Sequence, residues 1–398
     1  MPRWENDHNV YIVGAGFSSY GGMPLVADFM DRMRDAIGWL HDQKRAREAQ
    51  AIEEVLGFRN TAASAGYRVR INLDDIEELF SLASATGGEL SEESVPLAIG
   101  GTLEFCRCTN TGETLVLDAF MDDESTHWLV DSFPIVEQAR RPADRGSGLW
   151  QVYALTVYHF WAALMTGKLG IRNPDSRNTI ISFNYDLLLD DALAKVRIPF
   201  DYGFRDTGTF NRSAREKFCP GGTPALKLLK LHGSVNWAAP ATDGEPITIF
   251  STYDEVVSAQ RVPALLPPTW QKIFQRESLD VWNEAVRAIE SATRIIVLGF
   301  SIPDTDVHFK YLLAAGLRSN ISLRGVRFVN TDSDRLLPKV KRLLREELVE
   351  RRIVVVEPST RVDSFFANDN ERRGIGRIID EALYLPGPPL PRNRWLSN

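Results

Sequence analysis

A chain of 398 residues with 44% hydrophobic content is long enough to bury a substantial core, so it reads as one large globular domain or two ordinary ones. Its formal net charge of -7 leaves no basic excess to neutralise phosphates, which argues against nucleic acid as a partner of the chain by itself. Cys106, Cys108 and Cys219 supply neither a disulfide framework nor paired zinc hooks, and the opening residues carry no basic-then-apolar leader pattern, so a reducing cytoplasm is the expected compartment.

The first apolar run, VYIV at Val10, has the length of a buried strand and runs directly into Gly14-Ala15-Gly16-Phe17-Ser18. Glycine serves where the backbone must turn tightly and let an anion approach, and a following helix would present its unpaired amides to that anion. Leu25, Val26, Phe29, Met30, Met33 and Ile37 then recur at helical spacing on one face. The loop is not the dehydrogenase G-x-G-x-x-G, since Ser19 stands at the third glycine position, and alone it describes equally well a turn that packs a helix onto a strand.

Residues 40–178 show several helical patterns and no convincing strand, and are expected to form a helical insertion. Within it, DDIEELFSLASA from Asp74 is one such helix, with Glu77 and Glu78 on a solvated face or in an internal ion pair. The uncharged stretch from Gly146 to Gly167 has roughly the length of a bilayer span. Gln151, Thr156 and His159 dilute its hydrophobicity, and a span there would put neighbouring strands on opposite membrane faces. A buried central helix is the expectation, with no direct membrane contact.

TIISF at Thr179 is the second expected sheet strand and ends in Ser182-Phe183-Asn184-Tyr185-Asp186. LLKL at Leu228 is the third and ends in Leu231-His232-Gly233-Ser234. RIIVL at Arg294 follows a helical stripe of Trp282, Ala285, Val286 and Ile289. VRFV at Val326 precedes another, of Leu336, Leu337, Val340, Leu343 and Leu344, and IVVV at Ile353 closes the series. Strands alternating with helices predict an α/β fold, a Rossmann-like doubly wound parallel sheet with a large helical insertion, over 1–383. Residues 384–398 form a proline-rich arm outside it.

Ligands of such sheets sit outside the carboxyl ends of the strands, so Asn184, Asp186 and His232 are candidate site residues beside the glycine loop. Taken singly, Asn184 and Asp186 also suit caps of the following helix, and His232 suits a hydrogen-bonded turn. Asp304, Asp306 and His308 match no metal spacing and read as caps of the helix after them. Trp237, Trp270 and Trp282 read as core or interface residues.

With these residues in place, the chain resembles the sirtuin superfamily. That family combines, in this order, a GAG-x-S loop, an Asn-x-Asp strand end and a His-Gly strand end, here Gly14 to Ser18, Asn184 to Asp186, and His232-Gly233. Gly299-Phe300-Ser301 is similar to its glycine-serine turn beneath NAD, and Asn330 stands where the family has an adenosine-contacting asparagine. Sirtuin-like proteins of bacterial antiphage defence look closer still, through S-F-N-Y-D at Ser182, L-H-G-S-x-x-W at Leu231, P-P-T-W-x-K at Pro267 and G-F-S-x-P-D-x-D at Gly299. The resemblance covers residues 10 to about 40 and 178 to about 335. The stretch after His232-Gly233 lacks the two C-x-x-C pairs of deacylating sirtuins, and Gly22 to Phe29 lacks their G-I-P-D-F-R segment.

The resemblance implies NAD as substrate, bound by Gly14, Ala15, Gly16, Phe17, Ser18, Asp186, Gly299, Phe300, Ser301 and Asn330, with Asp186 on the nicotinamide carboxamide. Asn184 and His232 are the chemical pair: an amide that orients a ribose hydroxyl or water without titrating, and an imidazole that accepts a proton near neutrality. Hydrolysis of the nicotinamide–ribose bond is the expected activity. A protein deacylase or ADP-ribosyltransferase, or an assembly subunit that binds NAD without turnover, are the alternatives. Some short defence proteins of this kind work beside a HerA-type hexameric ATPase, and a homo-oligomer larger than a dimer is expected, built through the insertion and the arm. Because paired cysteines are lacking, the purified chain is predicted to retain no stoichiometric zinc after chelation and dialysis, as measured by elemental analysis.

Overall fold

A computed structural model describes residues 8–87, 89–109, 115–120, 138–139, 150–155, 162, 165–166, 177–242, 244–266, 276–303 and 307–358. The expected arm, the segment Pro267–Lys272, and Asp304 and Asp306 lie outside the described residues. Seven strands form one sheet: β1 (His8–Val13), β2 (Arg177–Ser182), β3 (Phe200–Asp201), β4 (Leu226–Lys230), β5 (Arg294–Leu298), β6 (Gly325–Asn330) and β7 (Val354–Pro358). Their spatial order is β7-β6-β5-β1-β2-β4-β3, and every pairing is parallel. The chain winds from β1 to one edge, then returns to the other side of β1 at β5 and winds outward again. This is a Rossmann-like doubly wound sheet whose switch point lies between β1 and β5.

Six of these strands are the apolar runs that the sequence singles out, and β1 and β5 are buried along their whole lengths. Burial on both faces explains why they read as continuous apolar runs and not as alternating ones. The exception is β3, an edge strand of two residues, too short to carry a period. Helices flank the sheet, among them Arg276–Glu290, whose Ala285 and Ile289 enter the same core as β5.

The chain also builds a second sheet that the sequence did not announce, entering it between β3 and β4 and completing it beyond β4. Its strands run Pro263–Leu265, Gly233–Ala238, Ile247–Ile249 and Gly208–Phe210 in spatial order. Three of the four are three residues long, below what patterning detects. Gly233–Ala238 is the long one and is buried throughout, with Trp237 in the core. The corner into it is Gly233, whose φ of +84° places it in the left-handed region.

The insertion holds four described helices: Phe29–Asp42, which begins before residue 40, Ala46–Thr61, Ile76–Thr86 and Ser94–Thr109. Asp75 caps the third by accepting from the N–H groups of Glu77 and Glu78. Met30, Met33, Leu40, Ile52, Leu79 and Phe80 build a second core there, joined by Val235 and Tyr253 from the second sheet and its following helix. Leu25, expected on the first helix's apolar face, lies outside that helix and is 40% exposed.

The insertion also corrects the expectation of an all-helical segment. Leu115–Phe120, Gln138–Ala139 and Trp150–Leu155 form a three-stranded sheet, with Trp150–Leu155 antiparallel to Leu115–Phe120. The uncharged stretch from Gly146 is therefore strand in its first part, while Ala162 and Met165 are helical and buried. A short apolar run has no period that separates a buried strand from a buried helix, and the Trp, Val and Tyr of WQVYAL favour a pleated surface. Among the described residues no helix is long and apolar enough to cross a membrane.

An added Cβ at Gly233 would stand 2.1 Å from the Ala264 carbonyl oxygen. Gly233→Ala is therefore predicted to destabilise the protein by about 2 kcal/mol or more, from left-handed backbone strain plus overpacking, as read from chemical denaturation.

Candidate functional site

The carboxyl ends of five neighbouring strands lie in one register row: Val329, Leu298, Val13, Ser182 and Lys230 are successive partners across the sheet. The residues that follow them are the candidates of the sequence, namely Asn330, Gly299, Gly14, Asn184 and His232. Parallel pairing thus gathers at one edge what the chain spreads over more than 300 positions.

The glycine loop differs in detail from what its sequence suggests. After Gly14 comes a single helical turn, Ala15–Ser18, then a 3-10 turn, Ser19–Gly21, and not the first turn of a long helix. Gly14 N–H donates to the Leu298 carbonyl at 3.1 Å, Gly16 N–H to the Gly299 carbonyl at 2.9 Å, and Phe17 N–H to the Gly14 carbonyl at 2.8 Å. Amides expected to face an anion are spent inside the protein. The glycines answer first to packing: a Cβ on Gly14 would meet Phe300 at 2.5 Å, and one on Gly16 would meet the Gly299 carbonyl oxygen at 2.8 Å. Gly299, at φ +59°, has no room either, with the Phe17 nitrogen 2.2 Å from its ideal Cβ.

Asn184 is 9% exposed and lies against this loop. Its Nδ2 donates to the Gly14 carbonyl and to Ser18 Oγ, both at 2.9 Å. Both amide hydrogens are thereby committed, which leaves Oδ1 as the acceptor for a ribose hydroxyl or a water. Ser18 is buried, and its hydroxyl also hydrogen-bonds to Asp186. It links two site residues from within. Asp186 Oδ1 accepts from Leu188 N–H at 3.0 Å, the first amide of helix Leu188–Lys195, although the N-cap position itself is Leu187 and not Asn184 or Asp186.

His232 sits at the corner between the two sheets, 7% exposed. Phe183 meets it edge-on, with ring centroids 5.1 Å apart at 87°, and Tyr185 lies 6.1 Å away on a tilt. The backbone there is pinned: Leu266 N–H donates to the His232 carbonyl at 2.8 Å, and the Tyr185 hydroxyl donates to the Leu266 carbonyl at 2.6 Å. Phe183 also stacks on Phe300 at 4.6 Å, which in turn meets Phe309 at 4.8 Å. Each such pair contributes about 0.5–1.5 kcal/mol beyond its area.

Asn184, Asp186, His232, Gly14 and Ser18 are therefore brought together at one place. Phe17 and Phe300 are turned into the core, whereas Ala15, Gly16, Gly299 and Asn330 are half-buried and Ser301 is exposed. Asn330 lies two strands from β1, where its Nδ2 donates to the Phe300 carbonyl at 3.4 Å and its Oδ1 accepts from Asp332 N–H. Sequence reasoning missed Lys230, Asp190 and Tyr202, a buried polar group beneath Asp186. The available signal was a lysine at the very end of the strand LKLLK, between Leu229 and Leu231. Among the described residues no group of three or more His, Cys, Asp or Glu side chains is placed to hold a metal ion.

No protein-family model matches the chain, and no curated protein does. Solved structures of Sir2 proteins do align with it. A mutant Sir2 homologue in complex with 2′-O-acetyl-ADP-ribose superposes with a TM-score of 0.37 at 12% identity, over 95% of this chain and 94% of its own. A Sir2 homologue in complex with NAD gives 0.35 at 12%, over 94% and 88%. A structure from work on the mechanism and regulation of Sir2 enzymes gives 0.36 at 11%, over 95% and 92%. At this level of superposition the fold assignment rests on the strand order above and not on these alignments.

Burial pushes the Asp186 carboxyl above the usual carboxylate range, against the Lys230 ammonium, the Ser18 hydroxyl and Leu188 N–H. An acid whose folded-state pKa is raised costs no stability below its unfolded value. The cost grows as pH rises from there to the folded value and is full above it. Asp186→Asn keeps an acceptor oxygen and cannot ionise, so it is predicted to melt higher than wild type near neutral pH, with the difference shrinking toward about pH 4. Thermal unfolding of both proteins across pH measures it.

Proposed function

We propose that the protein is an NAD+ glycohydrolase, converting NAD+ and water to ADP-ribose, nicotinamide and a proton. The observation that carries this reading is the placement of Asn184, Asp186 and His232 at adjacent strand ends, with Asn184 hydrogen-bonded to a glycine loop at the switch point of a doubly wound sheet.

Nicotinamide leaves as a neutral base, taking the electron pair of the C1′–N bond, so its departure needs no general acid. The work left to the protein is to hold the ribose, stabilise the cationic centre and admit water. Asn184 Oδ1 accepts from a ribose hydroxyl or the water, and His232 takes the proton that the water loses on bonding to C1′. Asp186 receives the carboxamide N–H of nicotinamide. Gly14, Ala15, Gly16 and Ser18 form the loop beside the pyrophosphate, while Gly299, Ser301 and Asn330 line the other wall, with Phe17 and Phe300 packed beneath them.

Unregulated depletion of NAD would kill the cell that makes the enzyme. The reading therefore includes control by assembly, with a homo-oligomer acting in cytoplasmic antiphage defence beside a HerA-type hexameric ATPase. Nicotinamide release from the purified chain without any peptide is the direct test. It separates hydrolysis from deacylation or ADP-ribosyl transfer, which consume NAD only with a co-substrate, and from binding without turnover. Asn184→Ala and His232→Ala are each predicted to lower that release by about a hundredfold or more while leaving a cooperative unfolding transition. Wild-type turnover in either variant would remove that residue from the mechanism.

A further inference from the structure

Beneath the strand end that carries Asn184 and Asp186 lies an ammonium with no route to water. Lys230 closes β4, two residues before His232, and its side chain is 1% exposed. Its Nζ donates to the Asp186 carbonyl at 2.5 Å and to Asp190 Oδ2 at 3.2 Å, with the Tyr185 carbonyl at 3.4 Å. Asp190, also 1% exposed, accepts from the Tyr202 hydroxyl at 2.6 Å, and Asn236 Nδ2 donates to that hydroxyl at 3.4 Å. Burying such a pair costs several kcal/mol per ion before attraction repays it, and well-packed apolar side chains often do as well for stability. Here the ammonium reaches across from the His232 strand to the backbone of the turn that holds the other two site residues.

We propose that Lys230, held by Asp190, is a positioning residue that fixes the Asn184–Asp186 turn against His232. The proposal rests on the NAD-hydrolase reading for its kinetic consequence and on geometry alone for its structural one. Two carbonyls of one turn are tied to a side chain from the neighbouring strand, beyond the point where the last backbone bond between the strand ends, Leu231 N–H to the Ser182 carbonyl at 2.9 Å, holds them together. Val235 N–H adds a bond to the same Tyr185 carbonyl at 3.1 Å.

The same ammonium acts on Asp186 through space. Charged and titratable groups facing that carboxyl are Lys230 from β4, Asp190 from the helix that follows Asp186, and Glu104 and Arg107 from helix Ser94–Thr109. His232 stands at the next strand end, and the Ser18 hydroxyl adds a neutral contact. Among these, Lys230 opposes most strongly the upward push of burial. Removing its charge should leave Asp186 protonated to higher pH.

The test uses the full chain with Lys230→Met, Lys230→Arg and the paired change Lys230→Met/Asp190→Leu, which leaves no buried charge unpaired and so keeps the experiment alive if the first fails to fold. Hydrogen exchange should speed up about tenfold or more at Tyr185 to Leu188 in both methionine variants, with β1 and β5 protected as in wild type. With NAD, KM should rise about tenfold in both. The acid limb of kcat/KM should move to higher pH in Lys230→Met and return in Lys230→Arg. Uniformly faster exchange, or unchanged exchange at the turn, overturns the proposal, as does an unmoved acid limb with unchanged KM. If wild type releases no nicotinamide, the hydrolase reading fails and the exchange pattern alone decides the positioning role.

Discussion

Everything at the candidate site depends on how closely two glycine turns approach each other where the sheet changes direction. Gly14 and Gly16 at the end of β1 and Gly299 at the end of β5 leave no space for a Cβ on either side. Their contact lets Phe300 lean over the end of β1 and stack on Phe183, which meets His232 edge-on. It also leaves the Gly14 carbonyl to accept from Asn184. Glycine is required here by protein packing before any ligand is considered, so a glycine loop and a binding loop are the same object seen from two sides.

The site also lies at a seam. Val10 to Val13, Ile180, Leu228 and Ile296 belong to the core of the large sheet, whereas Leu187, Val235 and Tyr253 belong to the core of the helical layer. Asp186 stands between them and lines a small pocket with Met23, Leu103, Glu104 and Arg107. Meeting surfaces of two layers are where a cleft is cheapest to leave, because neither core is interrupted by it. His232 occupies the corner at which the chain crosses from one sheet to the other, so its position follows from both.

Burial gives the site its chemistry and also a cost. Asn184, Asp186 and His232 are nearly enclosed, and Lys230 and Asp190 fully so. A low-dielectric surrounding strengthens each hydrogen bond among them and raises the penalty for any group left unpaired. The raised proton affinity of Asp186 is one form of that penalty. Burial also raises the Tyr202 hydroxyl, with the Asp190 carboxylate adding to the effect, which keeps it protonated and able to donate.

Six of seven sheet strands, their alternation with helices, and the placement of Asn184, Asp186 and His232 at strand ends were legible in the amino-acid sequence, because burial on both faces writes continuous apolar runs between polar turns. Strands of two or three residues, such as Phe200–Asp201 and Ile247–Ile249, left no such mark, and WQVYAL suits a strand or a buried helix until a partner is known. What the tertiary structure alone decided is the direction in which each side chain is used. Ser18 and Phe300 turn inward because the switch point is packed shut, the loop amides go to neighbouring carbonyls, and Lys230 acts on a turn 44 positions earlier in the chain. Such bonds join residues that parallel pairing makes neighbours, and a sequence read along one dimension holds no trace of which strand lies beside which.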